Sequence, residues 1–276
     1  MPPNTSHQQQ QQLVQTFRDR RLSISQQLED ETAAAQHLHG PSGEELPRLQ
    51  CPICTGAFVT LSGLEPVPGG TVAKVNQDRG LVIHPWCGHP SSALFGVYDG
   101  HGRRGHDVSE FVVQSLPHVL QQVQAAGEPD LGEVLGESYV LVDEALRHAV
   151  DATVSGTTAI TCLLNENDLF IANAGDSRAM VCRRHESSRA FGLKAIDLTI
   201  DQKPDLPKEM ARIVHMGGSV SPPGPNGRPA RVWHGRRGLA MSRSIGDHAA
   251  ATVGVIANPE ITECALATPR SNRVAL

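Results

Sequence analysis

The stretch LFGVYDGHGRRG, residues 94–105, decides how the rest of the chain is interpreted. It begins as an apolar strand that leads directly into Asp99, Gly100 and His101. A carboxylate and an imidazole therefore stand at the exposed end of a rigid element, where binding and catalytic groups often lie. Gly100 has no Cβ, so its carbonyl can approach a ligand or a metal closely. An ordinary Asp-Gly turn is the alternative interpretation of the same residues.

Two further carboxylates have a similar placement. Asp78 closes the run of residues 74–78 at the end of a predicted strand, and Asp176 lies in a tight turn, residues 173–178. Carboxylates at strand ends, with no Cys or His beside them at ligand spacing, suit a hard cation such as Mg²⁺ or Mn²⁺ better than Zn²⁺. Asp176 could equally be a turn residue that hydrogen-bonds its own backbone.

Short β-rich segments alternate with longer helical patterns from about residue 70 onward. The sequence predicts strands at residues 71–75, 93–98, 157–164, 169–174, 178–182 and 195–198, and helices at about 107–123 and 131–150. The connections at residues 165–168 and 175–177 have the length of hairpin turns, so we expect a largely antiparallel sheet. These patterns predict an α+β fold with helices packed on sheet faces, and they argue against a doubly wound nucleotide-binding fold.

Composition excludes several other classes of protein. The chain has 276 residues and carries 24 Lys and Arg against 29 Asp and Glu, a formal net charge of −5, which disfavours a nucleic-acid binder. Its apolar runs are too short for a membrane span or a secretory signal. Six Cys are too sparse and irregular for a disulfide scaffold. We expect an intracellular monomer, cytoplasmic or nuclear.

The chain changes character near residue 50. Residues 1–50 contain a Gln tract at positions 8–12 and few large apolar residues, so they are predicted to form a disordered or loosely helical tail. We interpret residues 51–69 as a linker and residues 70–276 as a single folded domain.

Seven motifs in a fixed order resemble the metal-dependent protein phosphatases of the 2C type. The resemblance covers about residues 70–263, and the ordered set is highly specific. The motifs are NQD at residues 76–78, VYDGHG at 97–102, SGTTA at 155–159, GDSR at 175–178, DQKP at 201–204, GGSV at 217–220 and LAMSRSIGD at 239–247.

The resemblance implies an α/β/β/α sandwich of two antiparallel sheets that hydrolyses phosphoserine and phosphothreonine in proteins. Two Mn²⁺ or Mg²⁺ ions are implied, with Asp99 bridging them, the Gly100 carbonyl as a further ligand and Asp78 beside the first ion. Asp176 matches a carboxylate linked to a weaker third metal position. A water held between the metals would attack phosphorus, and His101 matches the general acid that protonates the departing oxygen. Residues 155–159 are expected to pack a central strand rather than to react.

The chain departs from the family pattern near the first metal position. Gln77 stands where many members have Glu, and a neutral amide is a weaker ligand. Ala73 stands where some branches have a phosphate-binding Arg, and the neighbouring Lys74 points to the opposite face of a strand. Lys74 is thus only a weak candidate for contacting the substrate phosphate.

The segment of residues 221–237, here called the flap, is rich in Pro, Gly and Arg, and it resembles a variable segment beside the cleft in the family. Its charge could attract acidic phosphorylated substrates, or it could be a solvated loop with no selectivity. The candidate substrate-contacting residues are Arg228, Arg231, Arg236 and Arg237.

The end of the chain departs most from the family. Members follow the segment near Glu263 with an Asp-Gly strand and later an Asp-Asn pair that supply metal ligands, whereas residues 264–276 contain no Asp or Glu. We expect a domain truncated at its C-terminus and lacking strands, either as a fragment or shortened gene model or as a genuine product without catalysis. A catalytically impaired pseudophosphatase that binds phosphoproteins is the alternative function.

One further metal site is weighed. Cys51, Cys54, Cys87 and His89 resemble half of a RING-like zinc site, with the pattern C-x-x-C and then C-x-H. No second half follows. A four-ligand zinc knuckle and unrelated thiols are both left open.

Overall fold

The computed structural model describes residues 48–50, 55–57, 59–127, 130–184, 193–266 and 272–275. Its strands are β1 (Arg48–Gln50), β2 (Thr55–Ala57), β3 (Leu64–Val67), β4 (Gly70–Ala73), β5 (Asp78–Ile83), β6 (Ser92–His101), β7 (Gly156–Thr157), β8 (Ala159–Asn165), β9 (Asp168–Ala174), β10 (Met180–Arg184), β11 (Leu193–Asp197), β12 (Ser219–Ser221), β13 (Arg231–His234), β14 (Arg237–Leu239), β15 (Ile245–Gly246), β16 (Glu260–Ala265) and β17 (Asn272–Ala275). The helices are α1 (Gly105–Ala125), α2 (Leu131–Ala149), α3 (Pro207–His215) and α4 (His248–Ala251), with a 3₁₀ turn at Pro225–Gly227.

The main sheet has seven strands in the described part of the chain, in the order β15-β7-β6-β8-β9-β16, with β5 also paired to β6. Each strand pair in it is antiparallel. Strand β6 is the longest, and it pairs with β5 on one side and with β7 and β8 on the other. The residues of the DGH motif therefore lie at the end of a central strand.

Helices α1 and α2 cover one face of this sheet. Their apolar residues recur at helical spacing and are fully buried with residues of the sheet, among them Leu116, Leu120 and Leu135. The buried Tyr139 hydroxyl lies 2.8 Å from Thr161 Oγ1 and so finds a polar partner inside the core. Asp130 caps α2, because its Oδ1 accepts hydrogen bonds from the first-turn amides.

A second apolar cluster lies on the opposite face of the sheet. It joins residues of β6, β8 and β9, such as Ile160 and Ile171, to Ala179 and Leu198, which flank β10 and β11. Strands β10, β11 and β17 form a separate antiparallel sheet. The described layers are thus helices, main sheet and second sheet, consistent with a sandwich.

These layers confirm the predicted α+β class and the antiparallel pairing. The predicted hairpin at residues 175–177 is wrong, because β9 pairs with β8 and β16 whereas β10 pairs with β11 and β17. That turn carries the chain from one sheet to the other. Asp78 begins β5 and does not end the preceding strand, which stops at Ala73.

The segment before residue 70 is only partly described. Residues 1–47, which make up nearly all of the predicted tail, and residues 51–54 lie outside the described residues. Strands β2 and β3 of the predicted linker pair across its predicted ends: β2 pairs with β1 of the predicted tail, and β3 pairs with β4 of the predicted domain as an exposed hairpin. The proposed domain boundaries stay a prediction. In the described part of the chain, no helix combines the length and apolar character needed to cross a membrane.

Core packing by α2 gives a direct test of this architecture. Leu135 is fully buried, whereas Val140 on the same helix is 36% exposed. We expect Leu135→Ala to lower the free energy of unfolding by about 2–5 kcal/mol, because it leaves a cavity between helix and sheet. Val140→Ala is the matched control and should change it by about 0.5 kcal/mol or less. Urea denaturation followed by circular dichroism measures both, and equal effects would contradict the described packing.

Candidate active site

Two of the predicted carboxylates face each other directly. The register of β5 and β6 places Asp78 opposite Asp99, an arrangement in which like charges repel. Partial desolvation and then the charges of Asp78 and Asp176 raise the pKa of Asp99, while His101 opposes the rise. This electrostatic pattern is the one that a bound cation relieves.

The donor set at this pair suits a hard cation. Asp78, Asp99 and the Gly100 carbonyl offer only oxygen ligands, and Mg²⁺ in particular binds through one or two carboxylates while it keeps several waters. Within the described ranges, no three His, Cys, Asp or Glu side chains are arranged to hold a metal ion. The residues present thus fit an ion that is held by the facing pair and by water molecules. They do not fit a site in which protein side chains supply every ligand. Asp176 forms an ion pair with Lys203 instead.

The backbone around Gly100 is tightly packed. A Cβ at Gly100 would collide with the carbonyl oxygens of Gln77 and Gly105, so only glycine fits there. The Gln77 side-chain amide donates a hydrogen bond to the Gly102 carbonyl, with N···O 2.9 Å. An ionised Glu at this position could not donate this hydrogen bond. Gln77 therefore positions the Gly102 backbone, a role that its description as a weaker metal ligand than Glu does not include.

Thr158 holds the backbone of Asp99 from the neighbouring strand segment. Its amide donates to the Asp99 carbonyl at 2.9 Å, and its Oγ1 accepts from the Asp99 amide at 3.1 Å. The same hydroxyl lies 2.6 Å from Ser177 Oγ, next to Asp176. The SGTTA motif therefore packs and positions, as its sequence suggested.

Asp247 is a site residue that the sequence reasoning missed as a candidate. His101 Nε2 lies 2.6 Å from Asp247 Oδ2, and Ser244 Oγ donates to the same oxygen at 2.7 Å. Asp247 is buried and has a left-handed backbone with φ 47°, a conformation uncommon for a residue with a side chain. Its place at the end of the motif at residues 239–247 was the only available signal.

The pair with Asp247 fixes the state of the imidazole. A hydrogen bond to a carboxylate requires the proton on Nε2 of His101, and Nδ1 is buried without a partner among the described residues. Burial alone lowers the pKa of His101, but the hydrogen bond and charge of Asp247, and then the charges of Asp99 and Asp176, outweigh it and raise the pKa. The protonated imidazole is thereby favoured.

A buried ionic network lies where α3 meets the strand segment after the flap. The Glu209 carboxylate accepts hydrogen bonds from Arg243 Nη2 at 2.7 Å, from Arg212 Nη2 at 2.6 Å and from Ser242 Oγ at 2.7 Å. Burial opposes ionisation of Glu209, yet these donors outweigh it and lower its pKa to about 2. Glu209 and Arg243 are both almost fully buried, so neither charge has water as a substitute partner.

The remaining predicted residues are not brought into contact with the carboxylates. Lys74 is exposed, and its stem lies near Gly63 of the preceding segment. Arg231 donates from Nη1 to the Gly238 carbonyl at 2.7 Å and so braces the β13–β14 pair. No hydrogen bond or ion pair in the described part of the chain joins the four flap arginines to the site, and those four are Arg228, Arg231, Arg236 and Arg237.

Only two of the four residues of the candidate zinc knuckle are described. Cys51 and Cys54 lie outside the described residues. Cys87 is exposed, with its Sγ 3.7 Å from Gln124 Oε1, and His89 lies two residues further in the same turn. The zinc knuckle and the unrelated thiols therefore both stay open.

Comparison with known proteins identifies relatives of this chain. The family profile described as Protein phosphatase 2C matches residues 75–271. From Oryza sativa subsp. japonica, "Probable protein phosphatase 2C 64" is 37% identical over 196 residues, which is 67% of this chain and 45% of that protein. "Probable protein phosphatase 2C 48" from the same plant is 36% identical over 212 residues, covering 68% of this chain and 60% of that protein. The chain thus spans about half of these curated relatives.

A solved structure shows the same fold. The serine-threonine phosphatase 2C from Toxoplasma gondii superimposes with a TM-score of 0.69 at 22% sequence identity, covering 86% of this chain and 80% of that one. At this identity the likeness concerns the fold alone.

The buried network gives a prediction about stability and pH. Glu209→Gln should lower the free energy of unfolding at pH 7 by about 3–5 kcal/mol, because it leaves Arg243 buried without its counter-charge. The pKa of Glu209 is depressed from 4.5 to about 2, so its contribution is complete above pH 4.5 and is lost as the pH falls toward 2. The difference between the wild type and the variant should shrink over that range.

Urea denaturation at a series of pH values measures this difference. Glu65→Gln, on the exposed β3–β4 hairpin, is the control and should have little effect at any pH. A Glu209→Gln effect that persisted undiminished at pH 2 would contradict the ionic interpretation.

Proposed function

Because the chain belongs to the protein phosphatase 2C family, we propose that it hydrolyses phosphoserine and phosphothreonine in proteins. The observation that supports this most is the facing pair of Asp78 and Asp99, with the Gly100 carbonyl and the His101–Asp247 pair beside it. Mn²⁺ or Mg²⁺ is the proposed cofactor, and phosphorylated proteins inside the cell are the proposed substrates.

In this proposal Asp78, Asp99 and the Gly100 carbonyl hold the divalent cations. When bound, these cations supply positive charge for the phosphoryl group and lower the pKa of water. The protein supplies the fixed geometry. Thr158 holds both backbone groups of Asp99, and Gln77 holds the backbone of Gly100 and Gly102 after it, so the Asp99 carboxylate need not reorganise when charge develops.

His101 is proposed to act on the leaving group. The carboxylate of Asp247 accepts from Nε2–H and favours the protonated imidazole, whose other N–H is on Nδ1. Because Nδ1 is buried, this proposal requires substrate binding to bring the departing serine or threonine oxygen to it. After the proton has been transferred from Nδ1, the neutral imidazole keeps its Nε2–H···Asp247 hydrogen bond. A group that titrates near neutral pH suits this step.

The flap arginines are proposed to attract acidic segments of the substrate from a distance. They belong to β13, β14 and the loops around them, and their charges would raise the association rate without a direct contact at the reacting phosphate. Lys74 is exposed and could add to the same attraction.

The first functional test removes the cation and its central ligand. Phosphate release from a phosphothreonine peptide should require Mn²⁺, stop with EDTA and resume when Mn²⁺ is restored. Asp99→Asn should reduce the rate by about 10³-fold or more, since the nucleophilic water loses its position. Asp168→Asn is the matched control and should keep the wild-type rate. Asp168 is exposed at the start of β9, away from the turn that carries Asp176 at the other end of the strand.

The two candidate functions give different results in this test. Hydrolysis that survives EDTA, or that Asp99→Asn leaves unchanged, would overturn the proposal. If the protein binds Mn²⁺ and phosphopeptide without hydrolysis, the pseudophosphatase alternative applies.

A second test separates the acid from the metal ligands. His101→Ala should slow hydrolysis of the phosphothreonine peptide by about 10²–10⁴-fold. The loss on p-nitrophenyl phosphate should be much smaller, because that leaving group needs little protonation. Mn²⁺ affinity, measured by calorimetry, should not change. His215→Ala removes an exposed histidine at the end of α3 and is the control. Equal losses on both substrates would show that His101 is not the acid.

A further inference from the structure

Asp143 on α2 accepts hydrogen bonds from the segment that contains Asp247. The Gly246 amide donates to Asp143 Oδ1 at 2.8 Å, and His248 Nε2 lies 3.2 Å from the same oxygen. These two residues are the immediate neighbours of Asp247 in the chain. One carboxylate oxygen therefore binds the chain on both sides of the residue that pairs with His101.

The contact at Asp143 is largely shielded from water. The side chains of Asp143 and His248 are 14% and 12% exposed, and Gly246 is buried. The second oxygen, Oδ2, lies 3.5 Å from Nη2 of Arg147, whose side chain is 42% exposed, so that ion pair contributes little. A buried amide that loses its acceptor is costly, because water cannot readily replace the lost partner. Oδ1 is therefore the atom through which Asp143 restrains the segment.

The backbone of this segment has a shape that needs restraint. Asp247 lies in the left-handed region with φ 47°, which a residue with a side chain adopts only where its surroundings hold it there. Gly246 before it has φ 93°, and a Cβ at that position would come within 2.7 Å of the Ser155 carbonyl oxygen. If the Gly246 amide lost its acceptor, this turn would relax, and the Asp247 carboxylate would move out of line with His101 Nε2.

Two backbone hydrogen bonds hold the same segment independently of the Asp143 side chain. The Asp247 amide donates to the Ser155 carbonyl at 2.9 Å, and the His248 amide donates to the Ala152 carbonyl at 3.1 Å. Neither bond is removed when Asp143 is substituted. We therefore expect an Asp143 variant to fold and to change the alignment of Asp247 without displacing the segment.

We propose that Asp143 is a positioning residue for the proton transfer from His101 to the departing oxygen. It does not touch the reacting atoms. Its Oδ1 fixes Gly246, which holds Asp247 in its left-handed conformation, and Asp247 in turn sets the direction of the His101 ring. This role rests on the proposed function for the step that His101 performs, and it adds a residue of α2 that lies outside the motifs of the sequence.

The ring proton on His101 Nε2 reports the alignment without any measurement of activity. A proton held between a ring nitrogen and a carboxylate gives a low-field nuclear magnetic resonance signal and exchanges slowly with water. In protein isotopically labelled in its histidine rings, the signal that disappears in His101→Ala identifies this proton. Asp143→Ala should speed its exchange with water by about tenfold or more, because the Asp247 carboxylate is no longer fixed.

Kinetics supply the second measurement. Asp143→Ala should lower kcat for the phosphothreonine peptide by about 10–100-fold and leave KM unchanged, because it misplaces the acid and not the substrate. The rate on p-nitrophenyl phosphate should fall by about threefold or less, since that leaving group needs little protonation. In the His101→Ala background, Asp143→Ala should cost about twofold or less, as expected of two residues that act through one group.

Two further variants are the controls. Asp143→Asn keeps an oxygen that can accept from the Gly246 amide, and it should retain the ring signal and most of the rate. Glu133→Ala removes an exposed carboxylate from the first turn of the same helix and should behave like the wild type. Near-ultraviolet circular dichroism checks that each variant is folded. If Asp143→Ala does not fold, Asp143→Leu, which fills the space but accepts no hydrogen bond, takes its place.

The outcomes separate this role from the proposed function. An unchanged ring signal in Asp143→Ala overturns the inference, and so does an Asp143→Asn variant that is as impaired as Asp143→Ala. Equal losses on both substrates, or a full further loss in the His101→Ala background, mark a purely structural role and also overturn it. A ring signal that Asp143→Ala weakens and Asp143→Asn keeps, in a protein that hydrolyses no phosphopeptide, supports the positioning of His101 and contradicts the phosphatase proposal.

Discussion

Asp78 and Asp99 face each other across β5 and β6, and two carboxylates in that register repel unless a cation or a proton lies between them. The raised pKa of Asp99 expresses this repulsion together with partial desolvation. The other acids nearby already have positive partners, since Asp176 pairs with Lys203 and Asp247 with His101. No ion pair in the described part of the chain neutralises the facing pair. It is thus the acidic position at which a cation from solution is needed to offset the charge.

Neighbouring segments hold these charges together against their repulsion. Gln77 ties the loop before β5 to the end of the DGH motif, and Thr158 bonds both backbone groups of Asp99. These bonds use amides, carbonyls and hydroxyls, which do not depend on pH near neutrality. The carboxylates are consequently held by the fold and not by the ion that they would bind, which is the arrangement expected of a preorganised site.

The sequence predicted the fold class, and its local signals pointed to Asp78 and Asp99, which the fold places opposite each other. Asp99, Gly100 and His101 follow an apolar strand. Connections between predicted strands that have only the length of hairpin turns indicate antiparallel pairing. The partner of His101 could not be found this way, because Asp247 is 146 residues away and only the folded chain brings the two together. The turn at residues 175–177 was misjudged because loop length does not say to which sheet the next strand belongs.

The buried charges around α3 give the flap a physical link to the site. Arg243 bonds Glu209 on α3 and also reaches Glu260 Oε1 on β16 at 3.2 Å. Glu260 in turn accepts from Gln202 Nε2 at 3.4 Å, and Gln202 fixes the turn that carries Asp176. Buried ions cannot exchange their partners for water at low cost, so the Glu209–Arg243 part of this chain of contacts resists rearrangement, whereas Glu260 is partly exposed. The helix that precedes the flap is therefore anchored to the same framework as the acidic residues. Of the four flap arginines, Arg231 is held by the Gly238 carbonyl, and no hydrogen bond or ion pair among the described residues ties Arg228, Arg236 or Arg237 to this framework.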